Sequence, residues 1–200
     1  MRKKTILIDA GHGIDTPGKR SPDGVLREWE KNRQIARYVL EHLALRDIDA
    51  RLLVPEDKDI SLLERCRRAN EEALIYGISN CLLLSIHCNA AGNGSQWMNA
   101  TGWCAYTCPG ETEADRFATS LYHAAERHLP GHKIRKDYSD GDPDIEAPFY
   151  ILKHTYVPAV LTENLFMDFF SDYQFLMSEK GLRAIVGLHV DGICDYLRGK

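Results

Sequence analysis

The run Cys81-Leu82-Leu83-Leu84-Ser85-Ile86 restricts the fold of this chain more than any other segment. Its apolar residues are nearly continuous rather than alternating, the pattern of a strand covered on both faces, as in the interior of a parallel sheet. Parallel strands need long crossovers, usually helices. The rest of the sequence supplies them.

Ile6-Leu7-Ile8 reads as a buried strand running into the glycine-flanked turn Asp9-Ala10-Gly11-His12-Gly13. A loop from Thr16 to Gly24 follows, and Glu28 to Leu45 then carries Ile35, Val39, Leu40 and Leu43 at helical spacing. Ala50 to Val54 predicts a second strand, and Ser61-Leu62-Leu63-Glu64 resembles a capping box opening a helix through about Tyr76, stopped by Gly77. Gly102 to Thr107 predicts a strand and Glu111 to Leu129 a helix. The acidic, turn-rich stretch Asp137 to Pro148 reads as a solvated rim that orders on substrate binding. Pro158 to Glu163 is a further strand ending in a carboxylate, and a helix from about Ser178 to Leu197 closes the chain. The expected fold is α/β, a single domain over residues 1–200 with a mostly parallel central sheet flanked by helices on both faces.

Two hundred residues with 44% hydrophobic content suffice for one core. The formal charge of -4 comes from intermixed signs, without the basic surplus that binding to a phosphate backbone demands, so nucleic acid is excluded as a partner. The six cysteines form no CxxC pair and no dense disulfide spacing, and read as reduced, mostly buried thiols. The basic start Met1-Arg2-Lys3-Lys4 is followed by an apolar run that Asp9 interrupts, which predicts no export signal and no membrane span. The expectation is synthesis in the cytoplasm, as a monomer, with any extracellular substrate reached by another route.

Active sites of open α/β sheets gather outside the carboxyl ends of the strands. His12, His87 and Glu163 each follow an apolar strand, and Glu28 and Glu30 open the next helix. Two histidines and a carboxylate are a known ligand set for catalytic zinc, with a second carboxylate left free for proton transfer. Each residue also has a plainer reading. His12 fits a hydrogen-bonded turn, His87 a satisfied strand-end histidine, and either glutamate a first-turn acid favoured by the helix dipole. Glu163 is harder to place structurally, because a carboxylate after an apolar strand is costly to bury without a partner.

Ile8-Asp9-Ala10-Gly11-His12-Gly13, the Glu28 helix with Ile35-Ala36, Ser61-Leu62-Leu63-Glu64-Arg65 through Ala69-Asn70, Ser85-Ile86-His87-Cys88-Asn89-Ala90 and Pro158-Ala159-Val160-Leu161-Thr162-Glu163 closely resemble, in order, zinc-dependent N-acetylmuramoyl-L-alanine amidases. The resemblance runs from about Ile6 to Asp172. It implies one zinc ion per chain held by His12, Glu28 and His87, with Glu163 catalytic. Glu28 is chosen over Glu30 because the family's glutamate lies about two helical turns before its Ile-Ala pair. The implied reaction is hydrolysis of the amide between N-acetylmuramic acid and L-alanine of peptidoglycan, as in cell-wall lysis by an endolysin or in wall remodelling.

Lys153 and His154 are further candidates, for stabilising an oxyanion, and Trp97 and Trp103, with Trp29 beside Glu28, for walling the substrate. Cys88 stands where the family carries a small residue and is expected in the core, not on the metal. Leu165 replaces the glycine of the family's Glu-x-Gly-Phe. The competing readings are a related zinc peptidase acting on ordinary peptides, a wall-binding module without activity, and a metal-free structural domain.

Overall fold

The computed structural model describes residues 4–199. The basic start Met1-Arg2-Lys3 and the last residue, Lys200, lie outside them. Six strands form one sheet: β1 (Thr5–Ala10), β2 (Ala50–Leu52), β3 (Cys81–Asn89), β4 (Cys104–Thr107), β5 (Ile145–Glu146) and β6 (Ala159–Phe166). Their spatial order is β2-β1-β3-β6-β4-β5. The first four run parallel, and β4 reverses direction against β6.

Six helices cover the sheet: α1 (Glu28–Ala44), α2 (Leu62–Tyr76), α3 (Glu113–His128), α4 (Tyr150–His154), α5 (Phe170–Met177) and α6 (Glu179–Arg198). The strands are apolar on both faces because both are covered. Ile6, Ile8, Leu82, Leu84 and Ile86 pack in a core with residues of α1, α3 and α6, whereas Leu7, Leu83 and Leu161 point the other way into a second core with residues of α2 and α4. Helices on both faces of a largely parallel sheet are the architecture the sequence pattern implies.

The differences lie at element ends. Ser61 Oγ accepts the Glu64 amide at 3.3 Å as expected, but the Glu64 carboxylate pairs with Arg67 and Arg68 instead of closing the capping box. A full box occurs at Thr112 and Asp115, heading α3. The strand carrying Glu163 does not end there but runs on to Phe166. Across it the register of β3 and β6 slips between His87 and Asn89, a bulge that ends regular pairing just beyond the candidate site. Asp168 and Asp172 then hold the next loop, accepting the amides of Ala91 and Gly92 and the Thr101 hydroxyl respectively. No described helix is long and apolar enough to cross a membrane.

Candidate metal centre and cleft

Strand register places two of the candidate residues side by side. His87 on β3 is the pairing partner of Glu163 on β6, on the face that holds Leu83 and Leu161. β1 ends one strand away, and its last residues turn sharply. His12 has φ 62, a left-handed conformation that costs a residue with a Cβ about 1–3 kcal/mol. The flanking glycines are required by close approach: a Cβ on Gly11 would lie 2.1 Å from His87 Cε1, and one on Gly13 would lie 2.0 Å from the Asp59 amide nitrogen.

Two buried arginines hold this turn. Arg33 donates to the His12 carbonyl at 2.8 Å and to the Glu56 carbonyl at 2.7 Å. Arg65 donates to the Asp9 carboxylate at 2.6 Å and to the carbonyls of Ala10, His12 and Ile60. Asp9 takes its other hydrogen bond from the Ser85 hydroxyl, also at 2.6 Å, which ties β1 to β3 just below His87. Sequence reading singled out neither arginine for this role. The Asp-Ala-Gly-His motif signalled the turn but not what grips it.

Helix α1 completes the group from its first residue. Glu28 is 1% exposed, and its Oε1 lies 3.2 Å from His87 Nδ1 and 3.4 Å from His12 Nε2. The backbone amide of Cys88 donates to the same oxygen at 3.3 Å. Glu30 is exposed on the outer side of the helix. One ligand atom from each of His12, Glu28 and His87 lies within 4.8 Å of the others.

Electrostatics follow from that crowding. Burial, with His87 and Lys19 nearby, pushes His12 down to about 4 against the pull of Glu28 and Asp59, so its ring is neutral. Burial opposes the charge on Glu28, but the hydrogen bond from His87 and the charges of His87, His12 and Lys19 outweigh it and keep the carboxyl low. His87 is raised, because Glu28 and Glu163 overcome its own desolvation. Desolvation raises Glu163 to about 7, helped by Glu28 and opposed by His87, Lys19 and Arg135. Glu28 Oε2 and Glu163 Oε2 are both buried without a hydrogen-bond partner.

A cleft of about 410 Å³ opens over His12, His87 and Glu163. Leu62, Phe149, Tyr150 and Ile151 form an apolar wall, and Lys19 stands 3.9 Å from Glu28 Oε2. A second, polar hollow of about 260 Å³, lined by Lys19, Asn89 and Asn93, reaches Glu163 from the other side.

Four proposed contacts, Lys153, His154, Trp97 and Trp103, are not brought to this cleft. Lys153 and His154 are exposed on α4, where the His154 ring stacks on Tyr150 and its Nδ1–H donates to the Tyr150 carbonyl at 2.9 Å. The same short helix instead contributes Tyr150 and Ile151 to the cleft. Trp97 packs edge-on against Phe170, away from the cleft walls. Trp103 is fully buried, its Nε1–H donating to Asn164 Oδ1 at 3.0 Å. Cys88 packs in the core as expected, its thiol pushed well up by burial. The acidic stretch after α3 is exposed from Asp137 to Gly141, as a solvated rim is, but Asp144 within it is 1% exposed.

Two histidines, a buried carboxylate and a second carboxylate at the C-terminal edge of a parallel sheet form a donor set of the kind that zinc hydrolases use. A match to the N-acetylmuramoyl-L-alanine amidase family runs over residues 6–195. The N-acetylmuramoyl-L-alanine amidase CwlM of Bacillus licheniformis is 31% identical over 193 residues, covering 94% of this chain and 66% of the relative. The endolysin of Bacillus phage SPP1 is 27% identical over 200 residues, covering 98% and 67%. This chain thus spans about two thirds of the length of these curated relatives. The crystal structure of an N-acetylmuramoyl-L-alanine amidase from Clostridium difficile 630 matches with a TM-score of 0.84 at 27% identity, over 100% of both chains. The chain belongs to the N-acetylmuramoyl-L-alanine amidase family, a family of hydrolases.

Proposed function

We propose that this chain, acting as a single-domain monomer over residues 1–200, hydrolyses the amide between N-acetylmuramic acid and L-alanine of peptidoglycan at a zinc ion held by His12, Glu28 and His87. The observation that carries this reading is the buried Glu28 carboxylate. One of its oxygens touches both histidines, and the other accepts no hydrogen bond, with the Lys19 ammonium 3.9 Å away. A carboxylate buried so incompletely satisfied is costly, and a cation among these atoms removes the cost. Neutral His12 is already in its ligating form.

When bound, zinc supplies Lewis acidity at the scissile carbonyl and lowers the pKa of a water toward neutrality. Glu163 lies beside His87 with an oxygen free of other partners. Its carboxylate accepts the proton of the attacking water and passes it to the departing amine of L-alanine. Asn164 fixes the neighbouring backbone by donating to the His87 carbonyl at 2.8 Å. Lys19 places a positive charge near Glu28 and Glu163, where negative charge develops.

The two hollows that meet at Glu163 differ in the way this substrate requires. The wall of Leu62, Phe149 and Tyr150 suits the stem peptide, and the polar side with Asn89, Asn93 and Lys19 suits the sugar. The site of action is the cell wall. The test is release of stem peptides with a new L-alanine amino terminus from purified peptidoglycan, with unmodified peptides of the same sequence as comparison. Cleavage of the muramyl substrate alone supports the proposal; equal cleavage of plain peptides supports a zinc peptidase.

A further inference from the structure

The acidic stretch after α3 is exposed from Asp137 to Gly141 and turns inward at Pro143 and Asp144. Asp144 is 1% exposed and Asp115, in the first turn of α3, is 9% exposed. With the half-buried Asp142 they bring carboxylate oxygens within 4.8 Å of one another at the end of β4. This place is separate from the amidase cleft. Cys104 pairs with Glu163, and β4 runs antiparallel to β6, so Thr107 lies three residues, about 10 Å, toward the opposite edge of the sheet.

Part of each carboxylate is accounted for. Asp144 Oδ2 accepts the Thr107 hydroxyl, Asp115 Oδ2 accepts the Thr112 amide, and Asp142 Oδ1 accepts the Asp144 amide at 3.3 Å. The Oδ1 atoms of Asp115 and Asp144 are buried with no hydrogen-bond partner. The Thr107 hydroxyl favours the anions, but the neighbouring charges of Asp142 and Glu146 at Asp115, and of Asp142 and Asp115 at Asp144, are negative. Acceptors facing acceptors in a buried place are satisfied only by shared protons or by a cation. Desolvation, then a carboxyl–carboxyl hydrogen bond with Asp142 and the charges of Asp142 and Asp115, raise Asp144 to about 8.

We propose that Asp115, Asp142 and Asp144 bind a divalent cation of the calcium class, a second metal site distinct from the His12–Glu28–His87 centre. The donors are all carboxylate oxygens, with neither imidazole nor thiolate among the three, which selects hard cations over zinc. Two of them stand two residues apart on a loop and the third on a helix, so the ion joins α3 to the segment entering β5. That segment continues through Pro148 to Phe149 and Tyr150, the apolar wall of the cleft. The ion therefore anchors the segment that leads into that wall.

The test is calcium titration of the zinc-loaded protein by calorimetry, with thermal unfolding in parallel and magnesium as comparison. The expected result is one calcium per chain in addition to zinc, with Kd on the order of 10⁻⁵–10⁻³ M, a rise in Tm, and weaker binding of magnesium. Asp142→Asn, at a half-exposed position, and Asp144→Asn should each weaken calcium binding at least about tenfold while zinc stays bound. Absence of calcium uptake at about 10 mM, or unchanged affinity in both variants, overturns the proposal. So does a calcium-independent gain of stability in Asp144→Asn, the mark of a cluster held by shared protons.

Discussion

Asn164 ties the backbone of His87 to the buried core. Its Nδ2 donates to the carbonyl of His87 at 2.8 Å while its Oδ1 accepts the buried indole N–H of Trp103 at 3.0 Å. It is fully buried next to Glu163 and opposite the β3 bulge. Asn164→Ala strands two buried polar groups and should cost about 2–4 kcal/mol in urea unfolding. Asn164→Asp, which keeps the acceptor for Trp103 but loses the donor to His87, should weaken zinc binding as well. Unchanged stability in the alanine variant contradicts this role.

Arg65 and Asp9 form a buried pair, 3% and 2% exposed at the side chain, beneath the turn that carries His12. Removing one partner leaves an uncompensated buried charge, so Arg65→Ala should destabilise by about 3–5 kcal/mol. Arg65→Lys keeps the charge but cannot reach the Asp9 carboxylate and the carbonyls of Ala10, His12 and Ile60 together, and should recover less than half of that loss. Full recovery of stability by lysine shows that charge alone matters there.

Gly11→Ala tests the close approach of the turn to the ligand ring. The added Cβ would stand 2.1 Å from His87 Cε1, so the ring or the turn must move by more than an ångström. Misplacement on that scale costs about 10²-fold in activity. Circular dichroism should show the fold retained, and wild-type turnover in this variant removes the steric argument.

His189 on α6 makes an acid-stability prediction. It is fully buried and neutral, donating from Nδ1 to the Ile185 carbonyl and accepting the Thr162 hydroxyl at Nε2, and burial lowers it from 6.5 to about 4. Between these values the unfolded chain binds a proton that the folded chain refuses. Stability is therefore lost as pH falls from about 6.5 toward 4, by up to about 1.4 kcal/mol per pH unit. His189→Gln should flatten that part of the curve relative to wild type in the same zinc state. Parallel curves contradict the assignment.

Much of the fold was legible because the strands that build it are apolar on both faces. The Cys81 to Ile86 run could belong only to a covered strand, and helical periodicity marked α1, α3 and α6 to within a few residues. Strand order at the far edge was not legible, since β5 has two residues and β4 is reversed by tertiary pairing alone. The replacement of glycine by Leu165 did signal an unusual backbone. Leu165 has φ 66 and is fully buried, keeping the conformation a glycine adopts easily and gaining a packed side chain.

At the site, the turn histidine, the first-turn glutamate and the strand histidine could be picked out from the sequence, and the structure gathers them. Aromatic and basic residues near motifs were poor guides. Trp103 follows a glycine-rich loop yet serves the core, and Lys153 and His154 lie on the outer side of a helix too short to show a periodicity. The apolar wall of Phe149 and Tyr150 and Arg33 carried no sequence signal, and Arg65 stood in a matched motif without its role being legible, because long-range packing alone gives these residues their roles.

The most direct measurement of the central claim is zinc content and peptidoglycan amidase activity of the wild type, Glu163→Gln and His87→Ala, purified side by side. The account predicts one zinc per wild-type chain, zinc retained with activity reduced at least about 10²-fold in Glu163→Gln, and both zinc and activity lost in His87→Ala. A metal-free wild type that still cleaves peptidoglycan, or full activity in Glu163→Gln, contradicts it.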